Sequence, residues 1–485
     1  MYSQLEVIKK TSILIKEKKY VIAKRILLDF MENSKNIKID VKIYYNLYLI
    51  SEGLHEFQNS KKYLEKCFRI NDKNYIVLNN LANIFLKEGN IYKSEKFYLK
   101  SFDLKKNYLP AIINIAILYQ NLGRLEESKI FYLKAIEIAP KQLSIYFNLS
   151  RIDQNFLDDK KIKFIHQLLK NEKFDLLETS YGYFLLAENE RKKNNFKLEI
   201  KYLKKANELS FESNKKINIQ TLFYWTDIIT NRYKNFEFSN NNPNNALENL
   251  EPIFIIGLPR SGSTVVEALL SVADKKIISL GESNIFNGLI VNSFSKEENN
   301  LINLDILQNK ILEIFENKNL NLSNKVYIDK SLENFFYIDI ILKVFPKAKF
   351  INTIRNIEDN IFAIFKQSLN KISWSHSIND ILKYVNNYLI VIDHFSKKYP
   401  HKIFSMNLEK LSNNPKEFSK KLFTFCNLKW SDKVLNFHHK KDLFITTASN
   451  IQIRGNIEKY NIDKYKSYKS MLKNFLSKYK WLDQK

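Results

Sequence analysis

A chain that repeats itself every 34 residues has few folds open to it. Sliding this sequence along itself by that offset lays NNLANIFLKEGNIYKSEKFYLKSFDL (79–104) onto INIAILYQNLGRLEESKIFYLKAIEI (113–138). Asn80 falls on Asn114, Ala82 on Ala116, Gly89 on Gly123, Ser94 on Ser128, and Tyr98-Leu99-Lys100 on Tyr132-Leu133-Lys134. One period earlier Asn46, Ser60, Lys66 and Phe68 keep the register, and one period later Asn148 does so. Each period reads as two helices joined at a glycine turn, and the pattern continues through YGYFLLAENERKKNNFKLEIKYLKKANEL (181–209). A single hairpin of this kind cannot bury its apolar face, so the expectation is about five or six of them stacked into a right-handed solenoid with a concave groove.

The period, the small residue in the first helix, the turn glycine, the amphipathic second helix and Pro140 near its end resemble the tetratricopeptide repeat. The small residues read as close helix packing, and the groove as a docking surface for a protein or an extended peptide.

Composition narrows the function classes. A length of 485 residues implies two or three domains, and only 9 Gly and 8 Pro point to long helices. The formal charge of +25 would draw polyanions. Lysine is spread from end to end with no compact basic block, however, so nucleic-acid binding is not expected. Cys67 and Cys426 lie in separate helical segments, which argues against a disulfide and for a reducing compartment. No stretch is apolar enough for a signal peptide or a transmembrane segment, and a cytoplasmic location is expected. The seven histidines show no metal-ligand spacing.

The Asn-rich text NRYKNFEFSNNNPNNALENLE (231–251), with Pro243, is expected to be a linker between a helical domain over 1–230 and a second domain over 252–485. From Pro252 the period changes. Short apolar strands (IFIIGL, VYIDK, AKFINTIR) alternate with helices expected from about Ser261, Glu333 and Glu358. That alternation predicts an α/β domain with a central parallel sheet and ligands at the C-terminal strand ends. At the end of the first strand, GLPRSGST nearly spells a phosphate-binding loop: Gly257, Gly262 and a helix start that aims free N–H groups at an anion. Pro259, Arg260, Ser261, Ser263 and Thr264 complete the loop, but Ser263 stands where the lysine that reaches a terminal phosphate belongs.

PIFIIGLPRSGSTVVEALL resembles the 5′-phosphosulfate loop of the sulfotransferases, particularly bacterial tetratricopeptide-containing members and the tyrosylprotein sulfotransferases. The resemblance implies 3′-phosphoadenosine 5′-phosphosulfate (PAPS) as donor, with no need for the lysine or for a metal. It continues through AKFINTIRNIEDNIFAIFKQ, where Arg355 matches the arginine that binds the nucleotide 3′-phosphate, although Ala363 replaces the usual serine; Asn360 or a water is the substitute considered. MNLEKLSNNPKEFSKKLFTFCNLKW resembles a further element, with Leu408 in place of a tyrosine. TTASNIQIRGNI (446–457) resembles the segment that closes over the donor, which implies this role for Ser449 and Arg454.

The same resemblance implies a catalytic set. Glu282 in SLGESNIF matches the glutamate that takes the acceptor proton, and Lys330 in YIDKSLENF matches the lysine that contacts the sulfuryl group and bridging oxygen, with Leu332 replacing a proline. Arg260 belongs to both the transfer machinery and the donor loop, and Asn334 is a candidate for orienting the loop. The expected function is PAPS-dependent transfer of a sulfuryl group to a hydroxyl of a protein, peptide or glycan, a protein tyrosine among them. Two alternatives remain: a tetratricopeptide scaffold fused to a catalytically decayed domain, for which Ala363, Leu332 and Leu408 speak, and a P-loop kinase or nucleotidase, against which the missing lysine speaks. The loops 283–303 and 367–377, where acceptor choice resides, carry no readable motif.

Overall fold

The computed structural model describes residues 3–34, 38–239, 245–274, 276–294, 301–317, 320, 326–439, 444–445, 447, 449–455, 457, 460 and 464–482. Parts of three expectations lie outside these residues: 240–244 of the linker, 295–300 of an acceptor loop, and Thr446, Ala448 and Asn456 of the closing segment.

The first half is helical hairpins, as its period requires. Successive pairs run Gln4–Lys16 with Tyr20–Asn33, Val41–Gly53 with Phe57–Ile70, Tyr75–Lys87 with Ile91–Leu104, Leu109–Leu122 with Leu125–Ile138, Leu143–Ile152 with Asp159–Asn171, and Leu176–Lys192 with Phe196–Ser213. Local chemistry sets their starts. Ser3 and Glu6 form a reciprocal capping box, and Asp40, Asn74, Asp158 and Asp175 each accept from N–H groups of the turn they open. Gly89 ends one helix at φ 76°, a left-handed geometry that favours glycine.

The repeated positions do what their spacing predicts. Ala82, Ala116, Ser60, Ser94 and Ser128 are fully buried where helices touch. A further device is the repeated asparagine. Asn46 Nδ2 donates to Thr11 Oγ1 at 3.1 Å, Asn80 to Tyr45 Oη at 3.2 Å and Asn114 to Asn79 Oδ1 at 3.0 Å. Each reaches 35 residues back, into the first helix of the preceding pair.

The second half is built on a five-stranded, all-parallel sheet. In chain order the strands are β1 (Glu237–Ser239), β2 (Ile253–Gly257), β3 (Ile278–Ser279), β4 (Leu301–Asn303), β5 (Tyr327–Asp329), β6 (Lys349–Ile354) and β7 (Ile403–Asn407). The main sheet is ordered β3-β5-β2-β6-β7, while β1 and β4 form a separate parallel pair. Phe254 and Ile256 of β2 enter one apolar cluster and Ile253 and Ile255 the other, so both faces are covered. Each such side chain contributes roughly 1.5–3 kcal/mol by burial. The chain lays down β3 and β5 on one side of β2, then β6 and β7 on the other, which makes the C-terminal end of β2 the crevice where α/β sheets bind ligands.

The compact units divide elsewhere than at the expected linker: one comprises Met1–Tyr119 with Leu125–Pro140, the other Gln120–Arg124 with Lys141–Lys485. The reason is packing. Phe184, Leu203, Ile229 and Tyr233 share one core with Phe254, Phe336 and Phe350 of the α/β region, and Leu247 and Leu250 of the linker text are buried in it too. Among the described residues no helix is long and apolar enough to cross a membrane, and both cysteines are free and buried.

Candidate active site

The candidate phosphate loop follows β2 and leads into a helix, the placement the sequence predicts. Helix Ser263–Ser271 begins at Gly262, which takes φ 96° and caps nothing with a side chain, so the first N–H groups stay open to an anion. An alanine Cβ at Gly262 would lie 2.7 Å from Leu408 Cδ1. Gly262→Ala is therefore expected to cost roughly 1–3 kcal/mol of stability through backbone strain alone, measurable by denaturant unfolding. Arg260 also adopts a left-handed φ, 68°, a strained state that non-glycine residues keep mainly where surroundings enforce it.

Around this loop the expected residues separate into three groups. Arg260, Gly262, Thr264, Arg355 and Ser449 line one cavity of about 160 Å³, together with Leu408, Phe437 and Gln452. Arg260 Nη1 donates to Ser449 Oγ and Nη2 to Gln452 Oε1 at 2.7 Å, and Arg355 Nη1 donates to the Arg260 carbonyl at 3.3 Å. Arg355 lies over the rings of Tyr460 and Tyr465, 5.2 and 5.4 Å from their centroids. Burial pushes the Arg260 guanidinium down to about 10, and the charges of Arg151 and Arg355 add to the shift. The cavity thus holds crowded positive charge.

A second group holds the loop from inside. Ser261 Oγ donates to the Leu258 carbonyl at 2.6 Å and lies 2.7 Å from Thr353 Oγ1. The Pro259 carbonyl accepts from Asn360 Nδ2 at 2.7 Å, so Asn360 braces the loop, and Ala363 is buried in the core. Ser263 is buried at the helix start. Arg454 is turned from the cavity: its Nε donates to the Asn450 carbonyl at 3.2 Å and its Nη2 to the Asn121 carbonyl of the Gln120–Arg124 turn.

The third group is an ion pair. Lys330, just past β5 and 1% exposed, places Nζ 2.9 Å from Glu282 Oε1 and 3.6 Å from Glu267 Oε2. Its own N–H donates to the Gly281 carbonyl at 2.8 Å, which pins the Gly281-Glu282 loop to the strand end. Burial disfavours the ammonium, but Glu267 and Glu282 outweigh it and hold Lys330 above the ordinary lysine range. Glu267 is a member the sequence reading missed. It lies on the loop's own helix, one turn past Thr264, and its other oxygen accepts from Ser279 Oγ at 2.6 Å. A lone acid within the apolar run TVVEALL was the available signal. Asp329 organises the rest, accepting from Ser283 Oγ, from Ser331 N at 2.8 Å and from Asn334 Nδ2 at 3.2 Å.

Glu333, next to this cluster, was also missed as a titrating group. Burial, reinforced by the charges of Glu282 and Asp329, pushes its carboxyl up to about 7, with Lys330 opposing. A folded-state value above the unfolded one means that the native state holds a proton which the unfolded chain releases. Stability should therefore fall as pH rises between about 4.5 and about 7. Glu333→Gln should flatten that limb of the stability profile, as read by urea unfolding at stepped pH.

Residues 252–432 match the sulfotransferase family, and residues 75–108 and 109–142 each match the tetratricopeptide repeat. An uncharacterised Aquifex aeolicus protein is 25% identical over 339 residues, covering 65% of this chain and 43% of its own length. The chain thus spans less than half of that relative. Similar solved structures include the sulfotransferase domain of a Synechococcus PCC 7002 olefin synthase, at 17% identity over 45% of this chain and 89% of that one, TM-score 0.32. A Mycobacterium tuberculosis sulfotransferase, at 12% identity, covers 61% of this chain and 98% of its own, TM-score 0.30. A tetratricopeptide repeat protein of Parabacteroides merdae, at 16% identity, covers 44% and 95%, TM-score 0.32. Residues 252–432 of the chain thus match the sulfotransferase family, behind two matched tetratricopeptide repeats at 75–142.

Proposed function

We propose that this protein transfers a sulfuryl group from PAPS to a hydroxyl acceptor. The observation that carries the reading is the convergence of the phosphate loop and Arg355 on one cavity, with the Lys330–Glu282 ion pair tied to the loop's helix through Glu267, one turn past Thr264. In this reading the open N–H groups of the loop, Thr264 and Arg260 hold the 5′-phosphosulfate, Arg355 holds the 3′-phosphate, and Ser449 and Gln452 close over them through Arg260. Arg454 anchors the closing segment instead of touching the donor. The cavity, at about 160 Å³, is smaller than the usual 300–1,000 Å³ or so of a ligand pocket.

The acceptor oxygen attacks sulfur in line, the bond from sulfur to the bridging phosphate oxygen breaks, and adenosine 3′,5′-bisphosphate leaves. Glu282 takes the acceptor proton as the new bond forms. Lys330 meets the negative charge growing on the bridging oxygen, and Glu267 keeps the ammonium aimed there. The acceptor we favour is a protein tyrosine, with the helical half, residues 1–230, presenting the polypeptide to the transfer domain of residues 252–485. Two buried free thiols suit a reducing compartment such as the cytoplasm.

Calorimetric titration with adenosine 3′,5′-bisphosphate, beside ATP with Mg²⁺, tests the donor site: the bisphosphate binds and ATP does not. Failure of the bisphosphate to bind overturns the reading. Glu282→Gln should then leave bisphosphate affinity unchanged and lower transfer from labelled PAPS by about 10²–10⁴-fold. Leu408 packed against Gly262 and Ala363 sealed in the core favour a second reading, a scaffold that binds the donor without turnover. Bisphosphate binding with no transfer to any hydroxyl in an acceptor screen would select it.

A further inference from the structure

A second cavity, of about 800 Å³, shares no lining residue with the donor cavity and none with the Lys330 cluster. It runs along one face of helix Phe196–Ser213, where Lys197, Ile200, Lys204, Glu208 and Phe211 recur at three- and four-residue steps. At 1.5 Å per residue that face is about 21 Å long. Phe365, Ile378, Met471 and Phe475 make its apolar opposite side. The space is therefore elongated, apolar within and charged along its rim.

The rim charges are not equivalent. Glu208 is paired with Lys205 at 3.0 Å and Glu212 with Lys215 at 3.0 Å, while Asp380 accepts from Ser377 Oγ at 2.6 Å in its own helix cap. Lys197 and Lys204, by contrast, have no ion pair and no hydrogen bond among the described residues. The wall carries one more unsatisfied group, His376. It is 6% exposed, Phe211 meets it edge-on at 5.8 Å, and neither ring nitrogen has a hydrogen-bond partner. Burial pushes its imidazole down to about 4, so at neutral pH it is an uncharged ring with one donor and one acceptor unused.

We propose that this groove binds an anionic amphiphile: an extended apolar body seated among Ile200, Phe211, Phe365 and Met471, with a single carboxylate or sulfate head between Lys197 and Lys204. Charge complementarity decides the sign of the head. The rim acids are already matched by neighbours, and the two lysines are the charges left for an occupant to neutralise. The depth of apolar lining decides the body, since an inorganic anion would leave that surface wet.

The test is calorimetric titration of the full chain with decanoate, decyl sulfate and decyltrimethylammonium, each kept below its micelle concentration. Saturable one-to-one binding of an anion is expected, with the cation at least about tenfold weaker, which is about 1.4 kcal/mol. The tighter of the two anions identifies the head group. The double variant Lys197→Glu/Lys204→Glu, altered only at exposed rim positions, should lose the preference for anions. Met471→Trp, which fills the groove, should lose binding of all three, with the melting midpoint of each variant recorded to verify folding. Absence of saturable binding to the wild-type chain, equal affinity for the cation, or an anion preference untouched by the lysine pair overturns the proposal.

Discussion

Replacing Lys330 by methionine should slow transfer sharply and weaken the fold at once. The ammonium is 1% exposed and lies between two carboxylates, one of which, Glu267, has an 11% exposed side chain. Removing it strands that buried acid, which typically costs about 3–5 kcal/mol. In the proposed mechanism it also removes the cation that meets the leaving oxygen, for an expected loss of about 10²–10³ in turnover. The two effects separate in a cycle: Lys330→Met with Glu267→Gln should regain most of the stability in urea unfolding and none of the transfer. The pH dependence has a definite sign. Because the folded-state pKa is raised, the ion pair's contribution is fully present below the unfolded value of 10.5 and is lost only as pH climbs through the higher folded value. A wild-type chain losing this contribution at neutral pH would contradict the assignment.

Arg355→Ala should erase discrimination between nucleotides with and without a 3′-phosphate. The wild-type protein is expected to bind adenosine 3′,5′-bisphosphate more tightly than adenosine 5′-phosphate by a margin of about 2–4 kcal/mol, the scale set by truncating a buried charge partner. The variant should bind both equally and weakly. Arg260→Ala should instead weaken both nucleotides, because its contacts run to Ser449 and Gln452 of the closing segment. Equal losses for the two nucleotides in Arg355→Ala would reassign that arginine to the 5′ end. Filling the site should also stabilise the protein, by about 2.7 kcal/mol at a hundredfold excess over Kd, since a bound dianion relieves the repulsion between Arg260 and its arginine neighbours.

What the sequence disclosed follows from how local each signal is. The 34-residue offset located hairpins because each period carries its own turn and its own apolar face. The loop GLPRSGST disclosed a strand-to-helix turn with open N–H groups because strand, turn and helix start are consecutive. Pairings between distant short segments left no trace. β1 and β4 are three residues each and meet across some sixty residues of chain, with no periodicity to announce them. Glu267 acquires its role only because Lys330, far along the chain, arrives beside it. Arg454 matches a motif, yet its guanidinium is drawn to the carbonyls of Asn450 and Asn121, partners set by the fold and invisible in the motif. The position of the compact boundary was hidden for the same reason: Phe184 and Leu203 read as ordinary hairpin residues until the sheet supplies their neighbours.

The asparagines at 46, 80 and 114 give the helical half an arithmetic of its own. Every one finds its partner 35 positions upstream, so each pair of helices is keyed to its predecessor by the same step. Excising 75–108, one whole period, would bring Asn114 to the place Asn80 occupied, opposite Tyr45, and the chain would close over the gap with its donors matched. Excising ten or twenty residues would leave every later asparagine facing the wrong tooth. Such an array changes length in whole steps, which makes it a ruler that duplication or loss of its gene segments can lengthen or shorten without retuning what lies beyond.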